Sequence, residues 1–107
     1  MFRGGYIRVP VTDLARATRF YIETLGMKLV EDGPSPIIDA GDGLLLSLDA
    51  SAPGAGAGTS HLVLFVKGDL ANSLEVLRNR GIKLESVKNG ATLEDSEGNL
   101  YELKSTR

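Results

Sequence analysis

Apolar side chains recur at helical spacing in the segment that follows Thr12. The apolar and the charged residues fall on opposite sides of the helix that this spacing predicts. The apolar side carries Leu14, Ala17, Phe20, Tyr21 and Leu25, and the charged side carries Arg16, Arg19 and Glu23. Thr12 or Asp13 can accept a hydrogen bond from the first free backbone N–H groups of such a helix. Gly26 can adopt the left-handed conformation that ends a helix. The pattern therefore predicts an amphipathic helix from about Asp13 to Leu25.

Alternation of apolar and polar residues predicts strands on both sides of this helix. In residues 6–11 the side chains of Ile7, Val9 and Val11 would share one face of a strand, and Tyr6, Arg8 and Pro10 the other. Because Pro10 has no N–H to donate, it indicates the end of a strand or an edge strand. Three further strands are predicted near residues 27–31, 37–40 and 44–48, separated by turns rich in glycine. The order in the first half is β-α-β-β-β.

The second half of the chain repeats this order at a separation of 55 residues. Its predicted elements are a strand at 61–66, a helix that Asp69 caps and Gly81 ends, strands near 82–87 and 91–94, and a last strand at 100–103. The matching pairs include Tyr6 with His61, Gly26 with Gly81 and Ser47 with Glu102, with small compensating gaps in the helices. The repeat predicts a duplicated unit.

These elements predict an α+β fold of two tandem βαβββ modules that form a curved mixed sheet around a concave cavity. We expect a single domain over residues 1–107, with modules at about 4–49 and 60–105. Residues 50–59 contain glycine, alanine, serine and proline without apolar periodicity, which is typical of a flexible linker. A ferredoxin-like plait is the competing fold, but it has two strands after a helix where this sequence indicates three.

Composition narrows the functional classes. The net charge is −2, from 12 basic and 14 acidic residues without charged runs, which argues against nucleic acid or an anionic membrane as the main partner. The chain has no cysteine, so disulfides and thiolate chemistry are excluded. No apolar run is long enough to span a bilayer or to form the core of a signal peptide. A cytoplasmic protein is the expectation.

Three segments resemble the vicinal oxygen chelate superfamily, also called the glyoxalase/bleomycin resistance/dioxygenase superfamily. They are DLARATRFYIETLGMKL at 13–29, the strand that begins at His61, and EGNLYEL at 97–103. The resemblance spans nearly the whole chain and implies the duplicated fold. It implies no single activity, because members include isomerases, epimerases, ring-cleaving dioxygenases, fosfomycin-modifying transferases and metal-free antibiotic-binding proteins.

The resemblance also implies where a divalent metal ion, the one cofactor it suggests, would bind. Metal-using members take ligands from the first and last strands of each module, and the matching residues here are Tyr6, Ser47, His61 and Glu102. His61 and Glu102 offer an imidazole and a carboxylate, which suit divalent iron, manganese, nickel or zinc. Tyr6 and Ser47 are poor ligands near neutral pH, since a phenol has a reference pKa of about 10. The family pattern is therefore incomplete at half of its positions.

Strand alternation gives an independent view of the side chains that face the cavity. Leu62, Leu64 and Val66 would lie under the second helix, which turns His61 and Phe65 to the other face. By the same argument the cavity-facing set contains candidate ligand-binding residues from both modules: Tyr6, Arg8, Ser47, His61, Phe65 and Glu102.

Several of these residues have more than one interpretation. His61, the only histidine, is either a metal or substrate contact or a strand residue with local hydrogen bonds. Glu102 is functional, hydrated or paired with a nearby cation, and without a metal it could pair with His61 and raise the pKa of the imidazole. Arg8 either holds an anionic or oxygen-rich ligand by its planar fork or lies on the surface.

Two hypotheses for function follow. The first is a metal-free protein that binds a small polar or aromatic molecule in a dimer cavity. The dimer is what the resemblance implies, since members of this length usually form homodimers. The second is a divalent-metal-dependent lyase, isomerase or dioxygenase that uses His61 and Glu102. The sequence assigns no catalytic residue and no specific ligand under either hypothesis.

Overall fold

The computed structural model describes residues 1–50 and 61–105, and the side chain of His61 lies outside this description. The chain divides into two compact units, Met1–Ala57 and Gly58–Arg107. Apart from Ala50, the predicted linker lies outside the described residues. The linker and the treatment of the chain as a single domain therefore remain predictions.

The first unit is a βαβββ module. Its strands are β1 (Ile7–Pro10), β2 (Lys28–Glu31), β3 (Ile37–Asp39) and β4 (Leu45–Asp49), and its helix α1 (Leu14–Arg19) continues as a π-helical segment over Phe20–Thr24. The sheet order is β1-β4-β3-β2, with β1 parallel to β4 and the other pairs antiparallel. Pro10 is the last residue of an edge strand, as predicted.

The second unit repeats this arrangement. Its elements are β5 (His61–Val66), α2 (Leu70–Asn79), β6 (Glu85–Val87), β7 (Gly90–Glu94) and β8 (Leu100–Ser105), with sheet order β5-β8-β7-β6. Strand β5 is parallel to β8, and the other pairs are antiparallel. The predicted α+β fold of two βαβββ modules is confirmed, with one four-stranded mixed sheet in each module.

The strand register confirms the 55-residue repeat. Arg8 lies opposite Ser47 on the parallel pair of the first sheet, and Val63 lies opposite Glu102 on that of the second. The next ladder agrees, because Ile37 pairs with Ser47 where Thr92 pairs with Glu102. A bulge between Leu29 and Glu31 shifts the outer pair of the first sheet.

Both helices begin and end as the sequence predicts. Asp13 Oδ1 accepts a hydrogen bond from the backbone N–H of Arg16 at 3.1 Å, and Asp69 Oδ1 accepts from that of Ala71 at 3.0 Å. Gly26 and Gly81 follow the helices with φ of 74° and 88°, a conformation that glycine adopts without steric cost. In the described part of the chain no helix is long and apolar enough to cross a bilayer.

One face of each sheet carries the core of its module. In the first module the buried side chains come from alternate strand positions and from the inner stripe of the helix: Val9, Ile38, Leu46, Leu48, Ala17 and Tyr21. In the second they are Ile82, Ala91, Leu93, Tyr101 and Leu103. Residues of opposite parity on β1, β4, β5 and β8 therefore form a second face on each sheet, which we call the inner face, and this face carries the candidate site residues.

Candidate functional site

An ion pair links the two parallel strands on the inner face of the first sheet. Arg8 Nη1 on β1 donates to Asp49 Oδ2 on β4 at 2.6 Å, and the register places Pro10, two residues after Arg8, opposite Asp49. The Arg8 side chain is 44% exposed and that of Asp49 only 10%. The hydrogen bond that Arg8 donates to the Asp49 carboxylate, aided by the Tyr6 phenol, raises the pKa of the Arg8 guanidinium. Arg8 is therefore a fixed, permanent cation on this face.

Tyr6 completes this cluster from just before β1. Its hydroxyl oxygen accepts a hydrogen bond from Arg8 Nη2 at 3.0 Å, and the guanidinium carbon lies 5.3 Å from the centroid of the phenol ring. That distance is within the range of a cation–π contact. The two candidates Tyr6 and Arg8 are thus in direct contact.

Ser47 lies at the centre of the same face. Its strand, β4, is flanked by β1 and β3, so that Ser47 is paired with both Arg8 and Ile37. It is buried, with 1% of its surface exposed. Three of the six predicted site residues, namely Tyr6, Arg8 and Ser47, are therefore brought together in the first module.

The inner face of the second sheet carries Glu102 and Phe65. Glu102 on β8 lies between Val63 and Thr92, and Lys104 Nζ lies 3.3 Å from Glu102 Oε2. Pairing with a nearby cation is thus present, which was one of the alternatives for Glu102. Phe65 lies opposite Lys104 and is 66% exposed.

His61 is placed by its backbone alone. It is the first residue of β5 and pairs with Leu100, which lies two residues before Glu102 on β8. Its predicted contacts, with a metal ion, a substrate or Glu102, lie outside the described residues. The role of His61 stays a prediction.

Asp49 is the member of the cluster that the candidate set lacks. Strand parity already places it on the inner face, and the repeat aligns it with Lys104 at the same position of the second module. Arg8 and Asp49 have opposite charges and the same parity on neighbouring strands, and this was the signal available in the sequence for an ion pair. The ion pair was not predicted, because the two alternatives for Arg8 were a ligand contact and a place on the surface.

The donors in the first module do not fit a divalent metal ion. The Tyr6 oxygen already accepts from a guanidinium nitrogen 3.0 Å away, and that cation would repel a metal ion bound there. Ser47 offers a neutral hydroxyl, a weak ligand beside the carboxylates and imidazoles of metal sites. Among the side chains that the structure describes, no three His, Cys, Asp or Glu groups could hold a metal ion together. The case for a metal therefore rests on His61 and Glu102.

The fold is shared with solved structures of an antibiotic-binding protein, a glyoxalase/bleomycin resistance protein and a lyase. The antibiotic binding protein TnmS3 from Streptomyces sp. CB03234 superposes with a TM-score of 0.84 at 26% identity, over 98% of this chain and 96% of that one. A glyoxalase/bleomycin resistance protein from the same strain gives 0.76 at 24% identity, over 96% and 100% of the two chains. Lactoylglutathione lyase from Agrobacterium tumefaciens gives 0.74 at 18% identity, over 97% and 95%.

The family model gives the assignment. No protein of curated function matches the sequence. The model described as Glyoxalase/Bleomycin resistance protein/Dioxygenase superfamily matches residues 3–103, which is nearly the whole chain. The resemblance noted in the sequence is therefore confirmed, and the chain belongs to the glyoxalase/bleomycin resistance protein/dioxygenase superfamily.

Proposed function

We propose that this chain is a metal-free binding protein for a small polar or aromatic molecule, acting as a cytoplasmic homodimer whose cavity receives residues from both copies. Binding uses the inner-face residues Tyr6, Arg8 and Ser47, together with His61, Phe65 and Glu102. No chemical step is assigned to these residues.

The observation that carries the proposal is the cation at the inner face of the first sheet. Arg8 is held by Asp49 at 2.6 Å and by the hydroxyl of Tyr6 at 3.0 Å, and Tyr6 is the residue at the position where metal-using relatives are expected to supply a ligand. An arginine stays charged throughout the physiological pH range. A divalent ion at Tyr6 would therefore be repelled by the Arg8 guanidinium, whereas a neutral or anionic organic ligand would not be repelled.

Similarity to an antibiotic-binding protein supports the same proposal. The structure of TnmS3 is named as that of an antibiotic binding protein, and it is 26% identical to this chain over nearly its full length. We extend that class of ligand, an antibiotic, to this chain. The exposed ring of Phe65 and the half-exposed ring of Tyr6 are suitable surfaces for an aromatic ligand.

Metal analysis and ligand titration test the proposal together. Protein purified without an affinity tag should contain no stoichiometric iron, manganese, nickel or zinc. Calorimetric titration with a panel of aromatic antibiotics should then give saturable binding to the metal-free protein. Light scattering should give twice the chain mass of 11.4 kDa.

The His61→Ala variant separates this proposal from the metal-dependent enzyme. If the protein binds no metal, neither the variant nor the parent should contain stoichiometric metal, and adding zinc, nickel or manganese should not raise the thermal stability of either. Stoichiometric metal in the parent that is lost in the variant would overturn the proposal. It would support instead a lyase, isomerase or dioxygenase that uses His61 and Glu102.

A further inference from the structure

We propose that Arg8 and Tyr6 form a recognition site for the carboxylate of an aromatic acid. We call these two residues the Arg8–Tyr6 donor pair. This inference rests on the proposed function, because it names the chemical class of the ligand that the inner face of the first sheet would bind.

Arg8 has hydrogen-bond donors to spare. A guanidinium carries five N–H groups in a planar fork. Within residues 1–50 and 61–105, Arg8 uses one of them on Asp49 and one on the Tyr6 hydroxyl. The carboxylate of Asp49 is nearly buried, whereas the Arg8 side chain is 44% exposed. Asp49 therefore fixes the guanidinium from the protein side and leaves three N–H groups for a ligand.

Tyr6 adds a donor beside this fork. Its hydroxyl oxygen accepts from Arg8, so that the hydroxyl hydrogen remains for another acceptor, and the described residues provide none. Tyr6 is 47% exposed. A phenol O–H and a guanidinium N–H, with heavy atoms 3.0 Å apart, can both donate to the two oxygens of one carboxylate.

The charge of the cluster favours a single negative charge on the ligand. Asp49 neutralises one unit of charge, so that a polyanion such as phosphate would meet a formally neutral ion pair rather than an excess of cations. A cationic ligand would be repelled by the exposed guanidinium, which is nearer to solvent than its partner. The planar guanidinium and the Tyr6 ring also offer faces on which an aromatic ring can stack. An aromatic monocarboxylate satisfies all three conditions.

Sodium benzoate is the probe, and benzamide is its neutral counterpart of the same shape. Each is titrated into the ¹⁵N-labelled full chain at neutral pH, and backbone amide shifts are followed. Benzoate should cause saturable shifts at Arg8 and Ser47 on β1 and β4, and should bind at least about fivefold more tightly than benzamide, since a charged hydrogen bond is stronger than a neutral one.

Three variants and one control locate the effect. Tyr6→Phe keeps the ring and removes one donor, so benzoate affinity should fall about three- to tenfold. Arg8→Lys keeps a cation beside Asp49 but removes the fork, and Arg8→Met removes both; affinity should fall at least about tenfold in each. Arg19→Met removes an exposed arginine from the end of α1 and should leave benzoate binding unchanged. Circular dichroism verifies that each variant is folded.

The outcomes separate the ligand class from the wider proposal. The proposal of a carboxylate site is wrong if benzamide binds as tightly as benzoate, or if the Arg8→Lys variant binds benzoate as tightly as the parent does. The binding-protein proposal survives either result if an aromatic antibiotic still binds the metal-free chain. If Arg8→Met does not fold because Asp49 loses its cation, Arg8→Lys and Tyr6→Phe decide the question.

Discussion

The two modules share one strand register but differ in where they place an extra residue. Counted from the matching residues Val11 and Val66, the second module has one residue more before its helix cap, because Lys67 and Gly68 precede Asp69 where Thr12 alone precedes Asp13. The first module has one residue more between cap and terminal glycine, and there α1 continues as the π-helical segment. Leu25 N–H bonds to the carbonyl of Phe20, five residues back, at 3.0 Å. A wider helical turn absorbs an insertion without shifting the sheet, which is why the 55-residue spacing returns at Gly26 and Gly81.

The turns that precede the last strands differ in their side chains and agree in their backbones. Ala40 N–H donates to the Leu44 carbonyl at 2.8 Å, and Asp95 N–H to the Asn99 carbonyl at 2.9 Å, at equivalent positions. In the second module, however, Asp95 also accepts three side-chain hydrogen bonds, from the backbone N–H groups of Glu97 and Asn99 and from Asn99 Nδ2. Asp95 thus reinforces the turn of the second module with three such bonds, whereas in the first module Asp39 Oδ1 accepts one, from Gly41 N–H.

Gly90 gives the largest expected difference between the modules. An added Cβ there would lie against the backbone carbonyl oxygen of Leu103 on the neighbouring strand, a contact that only movement of the strand can relieve. The equivalent residue of the first module is Ser35, which carries a side chain. Gly90→Ala should therefore lower the free energy of unfolding by about 3 kcal/mol. Urea unfolding followed by circular dichroism measures this change.

Ser35→Ala is the matched control for Gly90→Ala. Because Ser35 already carries a Cβ, Ser35→Ala should change the free energy of unfolding of the protein by no more than about 0.5 kcal/mol. Equal small effects at both positions would mean that β7 and β8 are not packed as closely as the structure places them. The predicted difference between the modules in the cost of a substitution at this position would then be wrong.

Asp95 gives the next largest effect. Asp95→Ala removes the acceptor of three hydrogen bonds at 2.8 to 2.9 Å, and leaves buried donors of Asn99 without it. The free energy of unfolding should fall by about 2 kcal/mol, since an unsatisfied buried polar group costs more than a lost exposed bond. Hydrogen exchange should accelerate most at the start of β8.

Asp39→Ala tests the turn of the first module in the same way. Asp39 Oδ1 accepts one exposed hydrogen bond, from Gly41 N–H at 2.7 Å, so its loss should cost less than about 1 kcal/mol. If Asp39→Ala proves as costly as Asp95→Ala, the side-chain hydrogen bonds do not distinguish the two turns.

Local patterns explain how much of this fold the sequence could predict. Helix caps, terminal glycines and strand parity depend on neighbouring residues, and Asp13, Gly26 and Asp69 behave as predicted. The π-helical segment could not be located, because a single extra residue can be absorbed in a loop or in a helix at similar cost. The repeat revealed the insertion, and packing decided where it lies.

The site was predictable as a face and less so as a set of contacts. Parity put Tyr6, Arg8 and Ser47 together, and the structure places them so. The partners of Arg8 and Glu102 depend on which of several charged side chains lies nearest in space. Asp49 is far from Arg8 in sequence, and only the register of the parallel strands brings the two together.

The smallest expected effect comes from Phe65 and sharpens the contrast between the inner faces. Ser47 and Asp49 are buried in the first module, whereas Phe65 is 66% exposed in the second. Phe65→Thr retains strand propensity, so it should change the free energy of unfolding by no more than about 0.5 kcal/mol, as should the control Val30→Thr on the exposed strand β2. A cost above about 1.5 kcal/mol at Phe65 alone would mean that this ring is covered in solution. Repeating the unfolding at several protein concentrations identifies the cover, because the contribution of a second copy grows with concentration and that of contacts within one chain does not.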